Sequence, residues 1–458
     1  MVTAGGSYEA DVAVAAGGIV AVDRRAGTTE AARIVNASRV VDASGLLVLP
    51  GSVDVHTHAR IPSDELPDRF FLDSVGAAFG GTTTFLAFDN PGTGISEAAQ
   101  RTLRAGVAEW RAATAGESAV DFGLSAVITA QQASPETDIA AAIADGVATF
   151  KCFFVYDFGV TPERLRSLLH VTHTAGGLLQ VHGEDRAMLE AGIARQLAAG
   201  RTAPRYHAAS RPPAVEAAGI ARAIAIAADV DAPVYFVHVT SEAAVAEIAQ
   251  ARARGQPVHA ETCPQYLVLD EDRYALPDEE AIRYVISPPL RSRADREALW
   301  VALRRQGLDV IATDHVPDRL ADEKRWTGQS FERVSNGSPG IETLLPVVYG
   351  RGVREGRITI ERAVDLLATT PARLFGLRDK GSVEVGKDAD LVLLDPGSRH
   401  TVRVADQHHS SDFTLFEGMG LPGVIRRVIV RGEDVVRDGE FVGRRGFGRY
   451  VPRVLGLG

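Results

Sequence analysis

A chain of 458 residues exceeds one small domain and fits a large barrel with a smaller accessory domain. Its hydrophobic content of 45% and charged content of 24% are those of a globular protein, and a net charge of −10 argues against a general binder of nucleic acid or of an anionic membrane surface. Two distant cysteines, Cys152 and Cys263, form no disulfide framework; with neither a secretory leader nor a membrane-length apolar run in view, the expected location is the cytoplasm.

Up to about Ala43 the chain carries short β patterns, DVAVAAGGIVAVD and RIVNASRVVDASG, divided by Gly and Asp turns. The run LVLP, continuing through Val53 and Val55, reads as a buried strand that leads into His56 and His58. From about Leu46 to Leu377, apolar strands such as TTTFLAF, GLSAVIT, TFKCFFVY, LLQVHGED, PVYFVHVTS, PVHAETC and DVIATDH alternate with alanine-rich helical stretches such as PAVEAAGIARAIAIAADV and AAVAEIAQARARG. Alternation of this kind predicts an α/β fold, a (β/α)8 TIM-like barrel over residues 46–380. After about Gly381 the β pattern returns in SVEVGKDADLVLLD and VIRRVIVRGEDVVRDGEFV. Residues 1–45 and 381–458 are therefore expected to build one small β-sandwich domain from both chain termini.

Ionisable residues gather at the carboxyl ends of the predicted strands, where barrel enzymes keep their active sites. His56 and His58 are one residue apart, so in a strand their imidazoles point to one side and can converge on a metal. Lys151 follows in TFKCFFVY, His182 in LLQVHGED, His238 in YFVHVTS and Asp314 in VIATDH. Taken singly, His182 or His238 reads as a hydrogen-bonded core or rim residue, Lys151 as a side chain reaching out from a strand end, and Asp314 as a turn cap. Taken jointly, candidate ligands on successive strand ends point to a metal centre. Charge inside an apolar strand is also expensive unless it is paired or liganded.

The other histidines, His170, His173, His207, His259, His315, His400, His408 and His409, read as ordinary structural residues. His315 follows Asp314 directly, and in extended chain it faces away from the metal. Cys152 faces away from Lys151 by the same alternation and reads as core, as does Cys263.

With these residues in view, the chain resembles the cyclic-amide hydrolases of the amidohydrolase superfamily, closest to the hydantoinase and dihydropyrimidinase group. The resemblance spans nearly the whole chain, through GSVDVHTH, FGGTTTFLAFDNP, FKCFFVY, VHGED, RPPAVEAAGIARAIAIA, VHVTS, AETCPQYL, SPPLR, ATDH and GKDADLVLLDP. It implies two zinc ions per subunit: His56, His58 and Asp314 on the more buried ion, His182 and His238 on the more exposed one. A carbamylated Lys151 and a hydroxide would bridge them. Tyr156 would steady the oxyanion, while Ser287 and Asn336 hold the cyclic amide edge largely through backbone groups. Asp314 would serve as base and then acid. The implied partners are a small cyclic amide or imide substrate and further copies of the chain, as a homotetramer; the closing segments SSDFTLFEGM and FGRYVPR read as exposing aromatic and apolar residues for such contacts.

Departures from the group bear on the substrate. PGIET, after SNGS, looks more like allantoinases and some dihydroorotases, and VHGED stands where VHAEN is common. The chain begins about where the family's first β-strand would be ending. Allantoinase is thus the first alternative. Dihydroorotase is weaker, because Arg60 lacks the asparagine that would help it hold a substrate carboxylate, and a non-catalytic family scaffold would have lost metal ligands. Leu66, Phe70, Phe71, Phe154 and Phe158 are candidate apolar residues of the site's mouth.

Overall fold

The computed structural model describes residues 1–24, 37–89 and 101–456. Eight strands follow one another in chain order in one sheet: β1 (Ser52–Thr57), β2 (Thr82–Phe88), β3 (Asp121–Val127), β4 (Thr149–Phe153), β5 (Leu178–His182), β6 (Val234–Phe236), β7 (Val258–Thr262) and β8 (Val310–Ile311). All neighbouring pairs are parallel. A parallel bridge from Thr57 to His315 brings the chain just past β8 back to β1. Asp54 secures that closure: its carboxylate accepts from Thr313 N at 3.1 Å and from Thr313 Oγ1 at 2.5 Å. Most intervening segments are helices, among them Arg69–Phe79, Pro162–Thr174, Pro213–Asp229 and Glu242–Ala253. This is the (β/α)8 barrel expected from the alternation.

The stretch LVLPGSVDVHT is not one strand. Leu47–Pro50 pairs antiparallel with Leu391–Thr401 in a five-stranded sheet that also holds Gly420–Val430, Glu433–Arg437 and Glu440–Phe441, whereas β1 belongs to the barrel. Gly51 is the crossing point, and a Cβ there would lie 2.0 Å from Thr83 Oγ1, so no other residue fits without displacement. Both ends of the chain thus contribute to antiparallel β structure beside the barrel. At the N-terminus, Val2–Thr3 pairs with Gly6–Ser7 and Ala10–Ala15 with Gly18–Arg24. Of the RIVNASRVVDASG pattern, residues 33–36 lie outside the described residues, and 37–45 form no strand.

Of the closing segments, SSDFTLFEGM is buried rather than displayed, and FGRYVPR is half-buried along the barrel. Phe413, Leu415 and Phe416 are each at most 3% exposed, because SSDFTLFEGM packs into the main core. The last residues run along the barrel: Phe122 N donates to Arg449 O and Val451 N to Phe122 O. The Tyr450 ring rests on Phe122, with centroids 6.0 Å apart. Arg453, wholly buried, donates to Thr149 Oγ1 at 2.9 Å and to the Leu124 carbonyl. These side chains give no support to an oligomer interface.

A buried ion cluster joins the barrel to the small sheet. Lys380 Nζ lies 2.6 Å from Asp121 Oδ2 at the start of β3, and 2.8 Å from both Asp388 and Asp390. Arg431 also pairs with Asp121. Removing one member of a buried ion set leaves uncompensated charge. Lys380→Met is therefore expected to lower stability by about 3–5 kcal/mol, read as a fall in the urea midpoint; an unchanged midpoint would refute this account of the junction.

Candidate metal centre and substrate cavity

The expected ligands meet at the carboxyl end of the barrel. His56 ends an apolar strand and is wholly buried, with Nε2 2.9 Å from Asp314 Oδ1. His58 Nε2 lies 3.4 Å from the same oxygen. The ligand atoms of His56, His58 and Asp314 all fall within 4.8 Å of one another. Lys151, 1% exposed in β4, places Nζ 2.9 Å from His56 Nε2 and over the faces of Phe88 and Phe153. From the next two strands, the His182 and His238 rings approach to 4.6 Å between centroids, and His238 stands 5.5 Å from His56. His315 points away: its Nδ1 accepts from Gly340 N at 3.2 Å and its Nε2 lies 3.4 Å from Asp73. Cys152 packs into the core, as alternation requires.

Two of these residues, His238 (φ 41) and Asp314 (φ 51), adopt left-handed backbone conformations, as does Tyr156 (φ 68). Such conformations cost a non-glycine residue energy and cluster at functional sites. Electrostatics suit metal binding. Burial lowers the pKa of His182, pushes His58 down to about 4 and His238 well below its ordinary value, so all three are neutral at pH 7. His56 is held higher, because Asp314 and Glu261 outweigh burial and the Lys151 charge. Against burial, the neighbouring imidazoles of His56, His58 and His238 keep the Asp314 carboxyl well below the usual carboxylate range. Burial pushes the Lys151 ammonium down to about 8.

Supporting groups orient these side chains. Glu261, at the end of β7, accepts from Tyr235 Oη at 2.7 Å and from His238 N at 3.3 Å, and its other contact is His56 Nδ1. Glu184 Oε2 lies 2.7 Å from His182 Nε2, which leaves His182 Nδ1 as the nitrogen for a metal. His238 Nδ1 is buried with no hydrogen-bond partner. Glu184 and Glu261 are the functional neighbours that strand-end reasoning passed over; each sits one or two residues from a strand end, in VHGED and AETC. The glycine of VHGED has a packing reason, since a Cβ on Gly183 would lie 2.8 Å from Ile220 Cγ1.

Beside the ligands, Tyr156 follows β4, its ring 5.9 Å from His182 and stacked on Phe158 at 5.3 Å. It borders a cavity of about 430 Å3 whose walls include Leu189, Ile193, Arg211, Phe331 and Asn336. Ser287 N donates to the Asn336 carbonyl at 3.3 Å, which brings those two candidates together through the backbone. The other proposed mouth residues sit elsewhere. Phe70 is wholly buried against Phe85, Trp110 and Phe122; Phe71 packs on Phe441 under Arg445; Phe154 is core. Leu66 is half-buried and its carbonyl accepts from Ser63 N. Of the five, Phe158 stands with Tyr156, joined by Phe153 at 5.2 Å.

The sequence pattern of the amidohydrolase family matches residues 47–435. A D-hydantoinase of Streptomyces coelicolor is 37% identical over 461 residues, covering 99% of this chain and 96% of that protein. The D-hydantoinase of Rhizobium radiobacter is 38% identical over 459 residues, covering 99% and 97%. Among solved structures, the dihydropyrimidinase of Brevibacillus agri NCHU1002 superposes with a TM-score of 0.91 at 36% identity, over 99% of this chain and 97% of that one. With its barrel, its strand-end cluster of His, Lys and Asp side chains and relatives matched end to end, the chain belongs to the amidohydrolase family, in the hydantoinase group.

Proposed function

We propose that the protein hydrolyses the cyclic amide bond of hydantoins or dihydropyrimidines at a pair of zinc ions held by His56, His58, Lys151, His182, His238 and Asp314. The observation that carries this reading is the convergence of those side chains from five strand ends beside Tyr156 and its cavity. The donor set fits the metal: three imidazoles (His58, His182 and His238) kept neutral by burial, one ionised carboxylate, and a buried His238 Nδ1 with no hydrogen-bond partner among the described residues. In this reading His56, His58 and Asp314 would hold one ion and His182 and His238 the other, with a carbamylated Lys151 supplying further anionic oxygens to them. When bound, zinc lowers the pKa of water to about 7 and polarises a carbonyl.

The chain's own groups do the rest. Tyr156 donates its hydroxyl proton in a hydrogen bond to the ring carbonyl oxygen, and that bond strengthens as negative charge builds there. Backbone groups of Ser287 and Asn336 hold the edge of the ring. Asp314 takes the proton of the attacking water and delivers it to the ring nitrogen as the C–N bond breaks. The ring opens to a carboxylate and a free amide nitrogen.

Two observations weigh against the alternatives. PGIET serves packing: Gly340 N binds His315, and Glu342 lies 2.8 Å from His408 Nδ1 on the segment that also contacts Asp73. Arg60, which a dihydroorotase would need for a carboxylate, is already paired with Asp318 and Glu323. Phe153 and Phe158 pack on Tyr156, and Leu189 and Ile193 stand in the cavity wall beside the charged Arg186, Glu190 and Glu332. In this reading the apolar part of the wall takes an apolar exocyclic group, each buried methylene being worth about 0.8 kcal/mol. The polar ureido arm of allantoin would lose its water there, a loss of about 1–3 kcal/mol per unpaired group. On zinc-loaded enzyme, kcat/KM for phenylhydantoin or dihydrouracil is expected to exceed that for allantoin by about tenfold or more. The reverse order would establish the allantoinase reading instead.

The reading extends to a cytoplasmic homotetramer. Symmetric closed oligomers are the common outcome for soluble enzymes, and the family resemblance supplies the number. Light scattering at micromolar concentration is expected to give four chains, and a monomer mass would overturn it. No helix among the described residues is long and apolar enough to cross a membrane.

A further inference from the structure

Arg211 lies two residues before the helix Pro213–Asp229, is 4% exposed, and lines the cavity shared by Tyr156 and Asn336. Its guanidinium hydrogen-bonds to two separate parts of the site. Nη1 donates to Glu184 Oε2 at 3.2 Å and also to Ser287 Oγ. Glu184 Oε2 is the atom that holds His182 Nε2 at 2.7 Å. Tyr156 lines the same cavity as the guanidinium and acts on its charge electrostatically. Arg291 Nη1 donates to the Arg211 carbonyl, which anchors the backbone from the far side.

The plain alternative is a structural ion pair, but the arrangement is a poor stability device. A fully buried pair seldom repays its desolvation, and here Arg211 Nε and Glu184 Oε1 are buried without a hydrogen-bond partner among the described residues. What the guanidinium does offer is a rigid planar fork, able to hold several acceptors in one fixed frame. Tyr156 needs such a frame, since its left-handed backbone persists only where the surroundings over-determine it.

We propose that Arg211 is a positioning residue of the hydrolytic site: it sets the Tyr156 hydroxyl and Ser287 in register with the Glu184–His182 pair. The inference rests on the cyclic-amide reading above. Arg211 acts on the reaction through Tyr156 and Ser287, without itself touching the reacting atoms.

A double-mutant cycle tests it, with Arg211→Lys and Tyr156→Phe alone and together, assayed on phenylhydantoin and dihydrouracil. Metal content and thermal unfolding are measured on each variant. Lysine keeps the charge but loses the fork. R211K is expected to lower kcat about tenfold to a hundredfold, the scale of a small misplacement of a reacting group, with metal content unchanged. In the Y156F background the same substitution is expected to cost less than threefold. Losses that multiply, or an R211K enzyme within threefold of wild type, would overturn the inference while leaving the hydrolase reading intact. Should R211K fail to fold, Ser287→Ala replaces it in the cycle: coupling to Y156F supports the shared frame, and independent losses refute it. Wild-type protein that holds zinc and opens neither ring overturns both readings.

Discussion

Lys151→Ala is expected to abolish nearly all hydrolysis, by about a thousandfold or more, with partial recovery in added formate or acetate. The size follows from the several kcal/mol of charge stabilisation that a metal centre supplies, at about 1.4 kcal/mol per tenfold. The recovery follows from the chemistry of the lysine. Its Nζ is buried beside the His56 imidazole, and burial, outweighing the Asp314 and Glu261 charges, brings its pKa to about 8, so a useful fraction is the neutral amine near pH 7. That amine can attack carbon dioxide: an N–C bond forms, one proton leaves, and the product carries one negative charge shared by two oxygens where an ammonium stood. A free short carboxylate in the space left by Lys151→Ala offers the same oxygens. Lys151→Arg is expected to be dead and beyond rescue, since a guanidinium stays charged. Activity in that variant, or a Lys151→Ala enzyme within tenfold of wild type, would remove the carbamate from the mechanism.

Why Lys151 could be found in the sequence, and Arg211 could not, comes down to what each residue violates locally. A lysine in TFKCFFVY and an aspartate in VIATDH break an apolar run, and the expense of burying them demands a partner. Each therefore stands out without knowledge of its neighbours. Arg211, Glu184 and Glu261 break no pattern; their meaning lies in contacts between segments distant in sequence, such as Arg211 with Ser287. The alternation of strand and helix was equally legible, because periodicity is local. The division at Gly51 was not, since LVLP and SVDVHT are both apolar and extended, and which sheet each joins is decided by pairing with Leu391–Thr401 or with β2.

The aromatic residues show the same boundary from the other side. Phe70 and Phe71 read as mouth residues, yet Arg69 opens a helix that runs to Phe79. Adjacent helical positions diverge by about a quarter turn or more, so Phe70 enters the core while Phe71 turns toward Phe441. The closing segments were misjudged for a related reason. Apolar residues late in a chain look exposed when the surface they will cover is unknown, and Phe413 and Phe416 cover the barrel.

Asp314→Asn is expected to lower kcat by about a hundredfold to ten-thousandfold, the range for loss of a positioned general acid–base group, with a much smaller change in KM. The substitution is nearly isosteric, and the left-handed backbone at this position tolerates asparagine better than most residues, so the fold is preserved. The amide oxygen can still sit near His56 and His58, as the carboxylate oxygen does at 2.9 and 3.4 Å. What is lost is the capacity to take a proton and return it. The wild-type carboxyl lies well below the usual range, because its imidazole neighbours outweigh burial, so it stays ionised across neutral and mildly acidic pH. The sign for the proposed role follows directly: ionised Asp314 would accept the proton of water at the start of each turnover, and protonated Asp314 would surrender it readily to a basic ring nitrogen. Metal analysis separates this role from ligation. A variant that keeps its zinc and loses kcat supports proton transfer, whereas one that loses zinc in proportion to activity assigns Asp314 to ligation alone. An Asp314→Asn enzyme with metal bound and kcat within tenfold of wild type would place the base elsewhere in the site.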